Sequence, residues 1–171
     1  MHTRNKEQAF ALNLLMDPNV SVVTLLGKAG SGKTLLAVAA GLQQVLGGDE
    51  KANYKKLVIS RPVQPMGKDI GFLPGTLDEK MSPWLMPIQD NLEFLMGDKT
   101  ALETYVDQGI IEVEALTYIR GRSISNAYII IDEAQNLSIH ELKTIITRVG
   151  EGAKLVLTGD IEQIDNAYLD E

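Results

Sequence analysis

The sequence predicts an α/β fold of three layers, with a mostly parallel central sheet between helices. Two β-branched, apolar segments, 20–26 and 56–60, flank a segment with helical spacing of apolar residues, 33–46. A strand, a helix and a strand at this spacing form a βαβ unit with a right-handed crossover. Because the first strand is apolar on both faces, we expect it to lie centrally in the sheet.

The remaining elements follow in order along the chain. Residues 5–16 predict a helix that ends at Asp17-Pro18. The helical pattern of 78–96 contains Pro83 and Pro87, so two shorter helices are expected there. The other predicted elements are helices over 99–108 and 138–148, the second opened by a capping box, and strands over 111–116, 128–132 and 154–158.

Length and hydropathy predict one compact domain. The chain has 171 residues, of which 44% are hydrophobic, so we expect a continuous core over 1–171. No apolar run approaches the ~18 residues that a membrane span needs, and the first residues lack the apolar region of a signal peptide. These features predict a soluble protein of the cytoplasm without a membrane partner.

Composition also limits the chemistry. The absence of cysteine excludes disulfides, thiolate metal sites and cysteine nucleophiles, and two histidines disfavour a zinc site. Any bound metal must therefore be held by oxygen. The net charge of -7 argues against a protein that binds nucleic acid over its whole surface. Residues 1–68 nevertheless contain nine Lys and Arg against four Asp and Glu, which leaves room for a local cationic surface.

A glycine-rich turn between the first predicted strand and the next helix reads GKAGSGKT and fits G-x-x-x-x-G-K-[ST], the Walker A pattern. Glycines let the backbone curl until its N–H groups point inward, and the helix N-terminus adds positive charge, so this turn is suited to phosphates. Lys33 is expected to reach the β and γ phosphates, and Thr34 to ligate Mg²⁺. The alternative is a turn that only connects two elements. The candidate nucleotide-binding residues are Gly27, Lys28, Ala29, Gly30, Ser31, Gly32, Lys33 and Thr34.

Two adjacent carboxylates end the apolar segment YIIIDEAQN. A buried, unpaired and ionised carboxylate is too costly for a domain, so Asp132 and Glu133 must be paired, neutralised or at a site. Ligands bind at the carboxyl edge of a parallel sheet, and we expect this strand to emerge beside the phosphate-binding turn. Asp132 can then hold Mg²⁺ through a water, and Glu133 can polarise the attacking water. The alternative is a surface-exposed strand end.

Two glutamines have competing interpretations. Gln163, in LTGDIEQ after the last predicted strand, is either a group that bonds the γ phosphate or the attacking water, or an ordinary polar loop residue. Thr158 is a weaker candidate of the same kind. Gln8 stands three residues after Asn5, so helix capping explains it, and capping is favoured on these residues alone. Its functional interpretation is that the amide reads the edge of adenine.

Basic residues follow several predicted strands. Arg61, Lys68, Arg120 and Arg122 lie in such loops and are candidates for a surface that binds a phosphodiester backbone. Solvated basic side chains are the more common outcome at such positions.

These segments together resemble the PhoH-like family of ATPases, in the form whose domain often follows a PIN nuclease domain. The resemblance covers nearly the whole chain through RNKEQAFAL, LLGKAGSGKTLLA, SRPVQPMGKDIGFLPG, EALTYIRGRSI, IIIDEAQNL and LTGDIEQID. No PIN domain is present, so the resemblance does not imply nuclease activity here. The chain also stops at Glu171, short of the terminal elements that the family usually has, and we expect a domain truncated at its C-terminus.

The family is similar to the first motor domain of superfamily-one helicases, which implies a RecA-like P-loop fold and the use of ATP and Mg²⁺. The resemblance also implies that Gln8 reads adenine, that Gln163 lies at the γ phosphate, and that the loop of Arg61 and Lys68 lies on the nucleic-acid side. The implied activity is ATP hydrolysis by a helicase-like motor or remodeller of RNA or single-stranded nucleic acid.

A single motor core has one further consequence. Helicases hydrolyse ATP between two such cores, because the second core supplies a positively charged side chain, the arginine finger, to the phosphoryl group that is transferred. Here the finger must come from another subunit, so we expect a homo-oligomeric ring, as the family forms, with a hexamer as one option. The candidates for the finger, which we do not rank, are Arg148, Arg120 and Arg122.

Two other functions share a phosphate-binding turn. A small-molecule kinase benefits from keeping water away from the γ phosphate, whereas Glu133 directly after Asp132 favours attack by water. An ATP-gated assembly module without turnover is the third hypothesis, and the presence of Lys33, Asp132 and Glu133 together argues against it.

Overall fold

The strands form one parallel sheet in the computed structural model, which describes residues 6–47, 53–62, 77–116 and 123–163, with only the backbone for 77–84. The strand order is β1-β5-β4-β2-β3, and every neighbouring pair is parallel. The strands are β1 (Val22–Leu26), β2 (Lys56–Arg61), β3 (Ile111–Ala115), β4 (Ala127–Ile131) and β5 (Lys154–Gly159).

Five α-helices connect and cover the strands in the described part of the chain. Short 3-10 helices at Ala134–Asn136 and Ile161–Gln163 follow β4 and β5. The helices are α1 (Lys6–Met16), α2 (Lys33–Leu46), α3 (Leu77–Met96), α4 (Lys99–Asp107) and α5 (Ile139–Arg148). The capping box predicted for α5 is confirmed, since Ser138 accepts from the Glu141 amide and the Glu141 carboxylate accepts from the Ser138 amide.

The central strand β4 separates two hydrophobic cores. All five of its residues are buried, and successive side chains point to opposite faces. Tyr128 and Ile130 pack into the core formed with α1 to α4, whereas Ala127, Ile129 and Ile131 pack with Ile145 of α5 and others. The sheet therefore lies between two helical layers, which confirms the predicted three-layer α/β/α fold.

The expectation that the first strand lies centrally is wrong for the described residues. Strand β1 pairs there with β5 alone and forms one edge of the sheet. Val22 and Leu26 are 53% and 61% exposed, whereas Val23 is buried. The apolar residues of a segment indicate which side chains can be buried. They do not determine the position of the strand in the sheet, because strand order depends on backbone pairing with distant segments.

The expected break of the helix at Pro83 and Pro87 is also wrong, because α3 runs without interruption from Leu77 to Met96. The two prolines are four residues apart, so the backbone bonds that they remove lie on one side of the helix. Ile88 and Leu92, one turn apart, are fully buried in the core. Their burial favours a continuous helix over a broken one.

Two buried polar side chains, Lys154 of β5 and Gln44 of α2, fix the C-terminal end of α1 to the sheet and to the neighbouring helix. The Lys154 ammonium donates to the Leu14 and Asp17 carbonyls at 2.7 Å each, and the Gln44 amide donates to the Leu15 carbonyl at 3.0 Å. Burial lowers the pKa of Lys154, and the charge of Asp17 opposes part of that shift. The bonds to Leu14 and Leu15 satisfy carbonyls that the last turn of a helix leaves without intrahelical partners, whereas the Asp17 carbonyl also accepts from the Val20 amide.

No helix in the described part of the chain is long and apolar enough to cross a membrane.

Candidate functional site

The candidate site lies at the carboxyl edge of the sheet. The glycine-rich turn joins β1 to α2, and its first amide, that of Gly27, donates to the carbonyl of Gly159 at the end of β5. Asp132 and Glu133 follow β4, which is separated from β1 by β5. The turn and the two carboxylates therefore meet across β5 rather than at neighbouring strands.

The turn has the curled shape that the glycines predict. Gly30 and Gly32 have φ angles of 75° and 81°, in the left-handed region that costs other residues about 1–2 kcal/mol. The Lys33 ammonium lies inside the curve and donates to the carbonyls of Gly27 and Lys28, each at 2.7 Å, and to the Ser31 hydroxyl at 3.3 Å. Lys33 thus holds the turn closed at the start of α2.

The Asp132 carboxylate joins the turn to the sheet. Its Oδ1 accepts hydrogen bonds from the hydroxyls of Thr34 and Thr158, both at 2.7 Å, and the residue is only 6% exposed. These bonds supply the partners that a buried polar group needs. A hydroxyl and a carboxylate are oxygen donors, and Mg²⁺ takes one or two such protein groups together with phosphates and waters. Thr34 and Asp132 therefore fit a magnesium site.

Glu133 is held by two partners. Its Oε1 accepts from Nη2 of Arg61 at 2.8 Å, and its Oε2 accepts a short hydrogen bond from the amide of Gln135. The Gln135 side chain in turn accepts from the Asp160 amide at 3.1 Å, which ties this group to β5. Arg61 Nε also lies 3.9 Å from Asp132 Oδ2, so one guanidinium compensates both carboxylates.

The backbone of Glu133 is strained. Its φ and ψ angles are 54° and 43°, in the left-handed region, which is rare for a residue with a side chain. Such a conformation costs on the order of 1–3 kcal/mol and persists where the surroundings enforce it. The left-handed conformation of Glu133 turns the chain sharply between β4 and the 3-10 helix at Ala134–Asn136.

A cavity of about 260 Å³ opens over these groups. It is lined by the glycine-rich turn, by Asp132 and Glu133, by residues 158–160 at the end of β5, by Gln163 and by Asn91 of α3. The structure thus brings Lys33, Thr34, Asp132, Glu133 and Gln163 to one cavity. Thr158 also lies there, bonded to Asp132.

Gln8 lies against the outer side of the turn. Its amide nitrogen is 3.4 Å from the Ser31 carbonyl, so α1 contacts the phosphate-binding turn directly. The capping alternative involves Asn5, which lies outside the described residues. Lys28 is exposed and pairs with Glu162 at 3.0 Å.

Of the residues proposed as the arginine finger or as nucleic-acid contacts, the structure describes Arg148 and Arg61, and these two lie in different places. Arg148 is exposed at the end of α5, and its carbonyl accepts from the amide of Ile124, ahead of β4 and away from the cavity. Arg61 forms an ion pair with Glu133 at the candidate site. Lys68, Arg120 and Arg122 lie outside the described residues.

Sequence reasoning missed Asn91 and Gln135, and it did not place Arg61 beside Glu133. The sequence contains a hint of Asn91, because this polar residue interrupts the apolar face of the helix that carries Ile88 and Leu92. Gln135 is two residues from Glu133, but the positive φ of Glu133 that brings them together has no sequence pattern of its own.

The chain matches the family model described as PhoH-like protein over residues 1–170. It is 58% identical over 170 residues to Protein PhoH2 of Bacillus subtilis (strain 168), covering 98% of this chain and 38% of that protein. It is 43% identical over 141 residues to the PhoH-like protein of the same strain, covering 82% of this chain and 42% of that protein.

A solved structure with a similar fold is the Sulfolobus solfataricus SWI2/SNF2 ATPase core in complex with dsDNA. The match has a TM-score of 0.53 at 16% identity and covers 98% of this chain and 34% of that chain. This similarity concerns the fold and confirms the predicted RecA-like P-loop arrangement.

The chain spans less than half the length of the relatives that it matches. The family model, in contrast, accounts for nearly every residue. On that match and on the identity to Protein PhoH2, this chain belongs to the PhoH-like protein family.

Proposed function

We propose that this chain binds ATP with Mg²⁺ and hydrolyses it, as the motor of a protein that moves along or remodels RNA or single-stranded nucleic acid. The observation that carries the proposal is the bond between Thr34 and Asp132, which joins the phosphate-binding turn to the carboxylates inside one cavity. A turn that merely connects two elements has no need of such a bond.

The residues of the turn bind the triphosphate. Backbone amides between Gly27 and Thr34 donate to phosphate oxygens, and the N-terminus of α2 favours their negative charge. Lys33 exchanges the carbonyls of Gly27 and Lys28 for oxygens of the β and γ phosphates. Thr34 and Asp132 hold Mg²⁺, which when bound neutralises charge that develops on the phosphates.

Glu133 and Gln163 act on the attacking water. The water oxygen forms a bond to the γ phosphorus while the bond from that phosphorus to the ADP oxygen breaks, and Glu133 accepts the proton of the water. Gln163 lines the same cavity, which supports a bond from its side chain to the water or to the γ phosphate. Gln8, at the other side of the turn, reads the adenine edge with one donor and one acceptor.

The nucleic-acid partner is proposed from charge and from fold. Arg61 ends a strand at the carboxyl edge of the sheet, and Lys68 follows it in the sequence within the proposed cationic surface. The SWI2/SNF2 core of similar fold was solved with dsDNA, which supports a nucleic-acid partner of some kind for this chain. RNA or another single strand is the partner that we propose.

The arginine finger is proposed to come from a second subunit. We propose a homo-oligomeric ring in which an arginine of one subunit reaches the triphosphate of the next. Arg148, exposed and distant from the cavity of its own chain, is suited to act in trans, and Arg120 and Arg122 are the other candidates.

The test is phosphate release from ATP, measured against protein concentration with and without single-stranded RNA, with Lys33→Ala as the inactive control. The proposal expects a specific rate that rises with concentration and increases when RNA is added. Release that requires a small acceptor would indicate a kinase. Tight ATP binding without release would indicate an assembly module, and both results would overturn the proposal.

A further inference from the structure

We propose that Arg61 is a positioning residue that restrains Glu133, and that an anionic ligand, here a phosphodiester backbone, releases the restraint by attracting the guanidinium. The inference rests on the proposed function, in which Glu133 acts on water. It adds a means by which binding of nucleic acid controls hydrolysis.

The sheet fixes how close the two residues lie. Strands β2 and β4 are parallel neighbours, Ser60 pairs with Ile131, and the Asp132 amide donates to the Ser60 carbonyl at 2.8 Å. Arg61 and Glu133 extend from the ends of these bonded strands. Because the next residue, Pro62, is buried and restricts the backbone of Arg61, the mobile part of the pair is its side chain.

The contacts of Glu133 restrain both of its oxygens. Arg61 donates to Oε1 at 2.8 Å and Gln135 donates to Oε2. A general base needs a free oxygen within hydrogen-bonding distance of the attacking water, and in this arrangement both Glu133 oxygens already accept hydrogen bonds from protein groups. With Arg61 in place, Glu133 is held in a resting arrangement.

The exposure of the pair makes release feasible. The Arg61 and Glu133 side chains retain 20% and 29% of their exposed surface. A planar guanidinium binds phosphate as well as carboxylate, with the same forked geometry. A phosphodiester that reaches the carboxyl end of β2 can therefore compete with Glu133 for Arg61, whereas a neutral ligand cannot.

The experiment measures phosphate release by the wild-type chain and by Arg61→Ala at saturating MgATP, with and without oligouridine. We expect Arg61→Ala to release phosphate about 5-fold faster than wild type without RNA, the lower end of typical couplings between sites. Addition of oligouridine should then raise its rate no further. The matched control is Lys56→Ala, which removes another cation of β2 and its ion pair with Glu112 and should behave as wild type.

A second pair of variants tests whether the effect acts through Glu133. The gain in rate should vanish when Arg61→Ala is combined with Glu133→Gln. Arg61→Gln, which keeps a long polar side chain, should show the same gain as Arg61→Ala, and it decides the question if the alanine variant fails to fold. Folding of each variant is checked by thermal melting.

The outcomes separate this inference from the proposed function. A slower basal rate in the Arg61 variants, or an unchanged basal rate with weaker RNA binding, would overturn the inference, and RNA stimulation of the wild type would still support the motor. A faster basal rate in the variants without any RNA stimulation of the wild type would support the restraint and overturn the nucleic-acid partner.

Discussion

The Thr34 hydroxyl donates to Asp132 Oδ1 at 2.7 Å, although the two residues are 98 positions apart in the sequence. Thr34 lies in the first turn of α2, and Asp132 is the first residue after β4. Their bond brings the two patterns that mark a nucleotide-binding site into one cavity. The same oxygen also accepts from Thr158, so Asp132 is held in place from helix α2 and from strand β5.

If Asp132 helps to hold Mg²⁺, substitution of this residue should change the magnesium concentration that ATP hydrolysis requires. Asp132→Asn keeps the shape of the side chain but removes the charge that attracts the ion, so we expect hydrolysis to need roughly 10-fold more Mg²⁺ for half of its maximal rate. The measurement is phosphate release over a magnesium titration, with complete loss in excess chelator. Asp107→Asn, at an exposed position of α4, is the control and should titrate as wild type. An unchanged titration of Asp132→Asn would remove this residue from the metal site.

Glu133→Gln should separate binding from turnover. The amide cannot accept a proton from water, and general-base catalysis typically contributes about 10²–10⁴-fold, so phosphate release should fall by at least 100-fold. The affinity for ATP, measured by calorimetry, should stay within about 3-fold, because the turn that binds phosphates is unchanged. Glu112→Gln on β3 serves as the control. Retained turnover in Glu133→Gln would contradict the role of this carboxylate.

Lys154→Met should weaken the attachment of α1. The substitution removes the ammonium donor from both carbonyls. The Asp17 carbonyl keeps its bond from the Val20 amide, but the Leu14 carbonyl loses its side-chain donor, and a buried polar group without a partner costs ~1–3 kcal/mol. Removing a buried charge acts in the opposite direction, but the two short bonds make loss the larger effect. We expect the free energy of unfolding, from urea denaturation, to fall by about 1–3 kcal/mol. The exposed control, Lys143→Met, should stay within about 0.5 kcal/mol of wild type, and equal stability of both variants would contradict the assignment.

Tyr128→Phe should stabilise the fold. The Tyr128 hydroxyl is buried and has no hydrogen-bonding partner among the described residues. Burial raises the pKa of Tyr128 above its usual 10.0, and that of Tyr54 is raised for the same reason. Removing the hydroxyl eliminates the cost of burying it, so we expect the free energy of unfolding to rise by about 1 kcal/mol at neutral pH. Urea denaturation at neutral pH measures this difference.

The same residue predicts how stability depends on alkaline pH. Above pH 10 the unfolded chain loses the Tyr128 proton while the folded chain keeps it. The unfolded state then binds fewer protons, so the free energy of unfolding falls as pH rises through this range. Tyr128→Phe should flatten that fall, with Tyr54 accounting for part of the remainder. A fall as steep as that of wild type would show that other groups determine the alkaline limit.

Much of the fold could be predicted because local patterns and burial agree. The apolar residues of β4 and the capping box of α5 specify their elements within the segment itself, and both are confirmed. The edge position of β1 could not be predicted, because strand order depends on pairing between distant segments. The unbroken α3 shows the same limit, since the burial of Ile88 and Leu92 is a property of the whole core.

The candidate site shows a similar division. The residues of the glycine-rich turn, Asp132 and Glu133 follow known patterns, and the structure brings residues of both groups to one cavity. The pairing of Arg61 with Glu133 depends on β2 and β4 being neighbours, which no single segment of sequence reveals. Asn91 reaches the cavity only because α3 packs over the sheet at this edge.

The most direct test of the central claim is a crystal structure of Glu133→Gln grown with saturating MgATP. The account predicts that the triphosphate lies in the turn between Gly27 and Thr34, with Mg²⁺ at Thr34 and near Asp132. The substituted amide side chain should face the γ phosphate. A turn without bound phosphate at saturating ATP, or a triphosphate bound far from Asp132, would contradict the account.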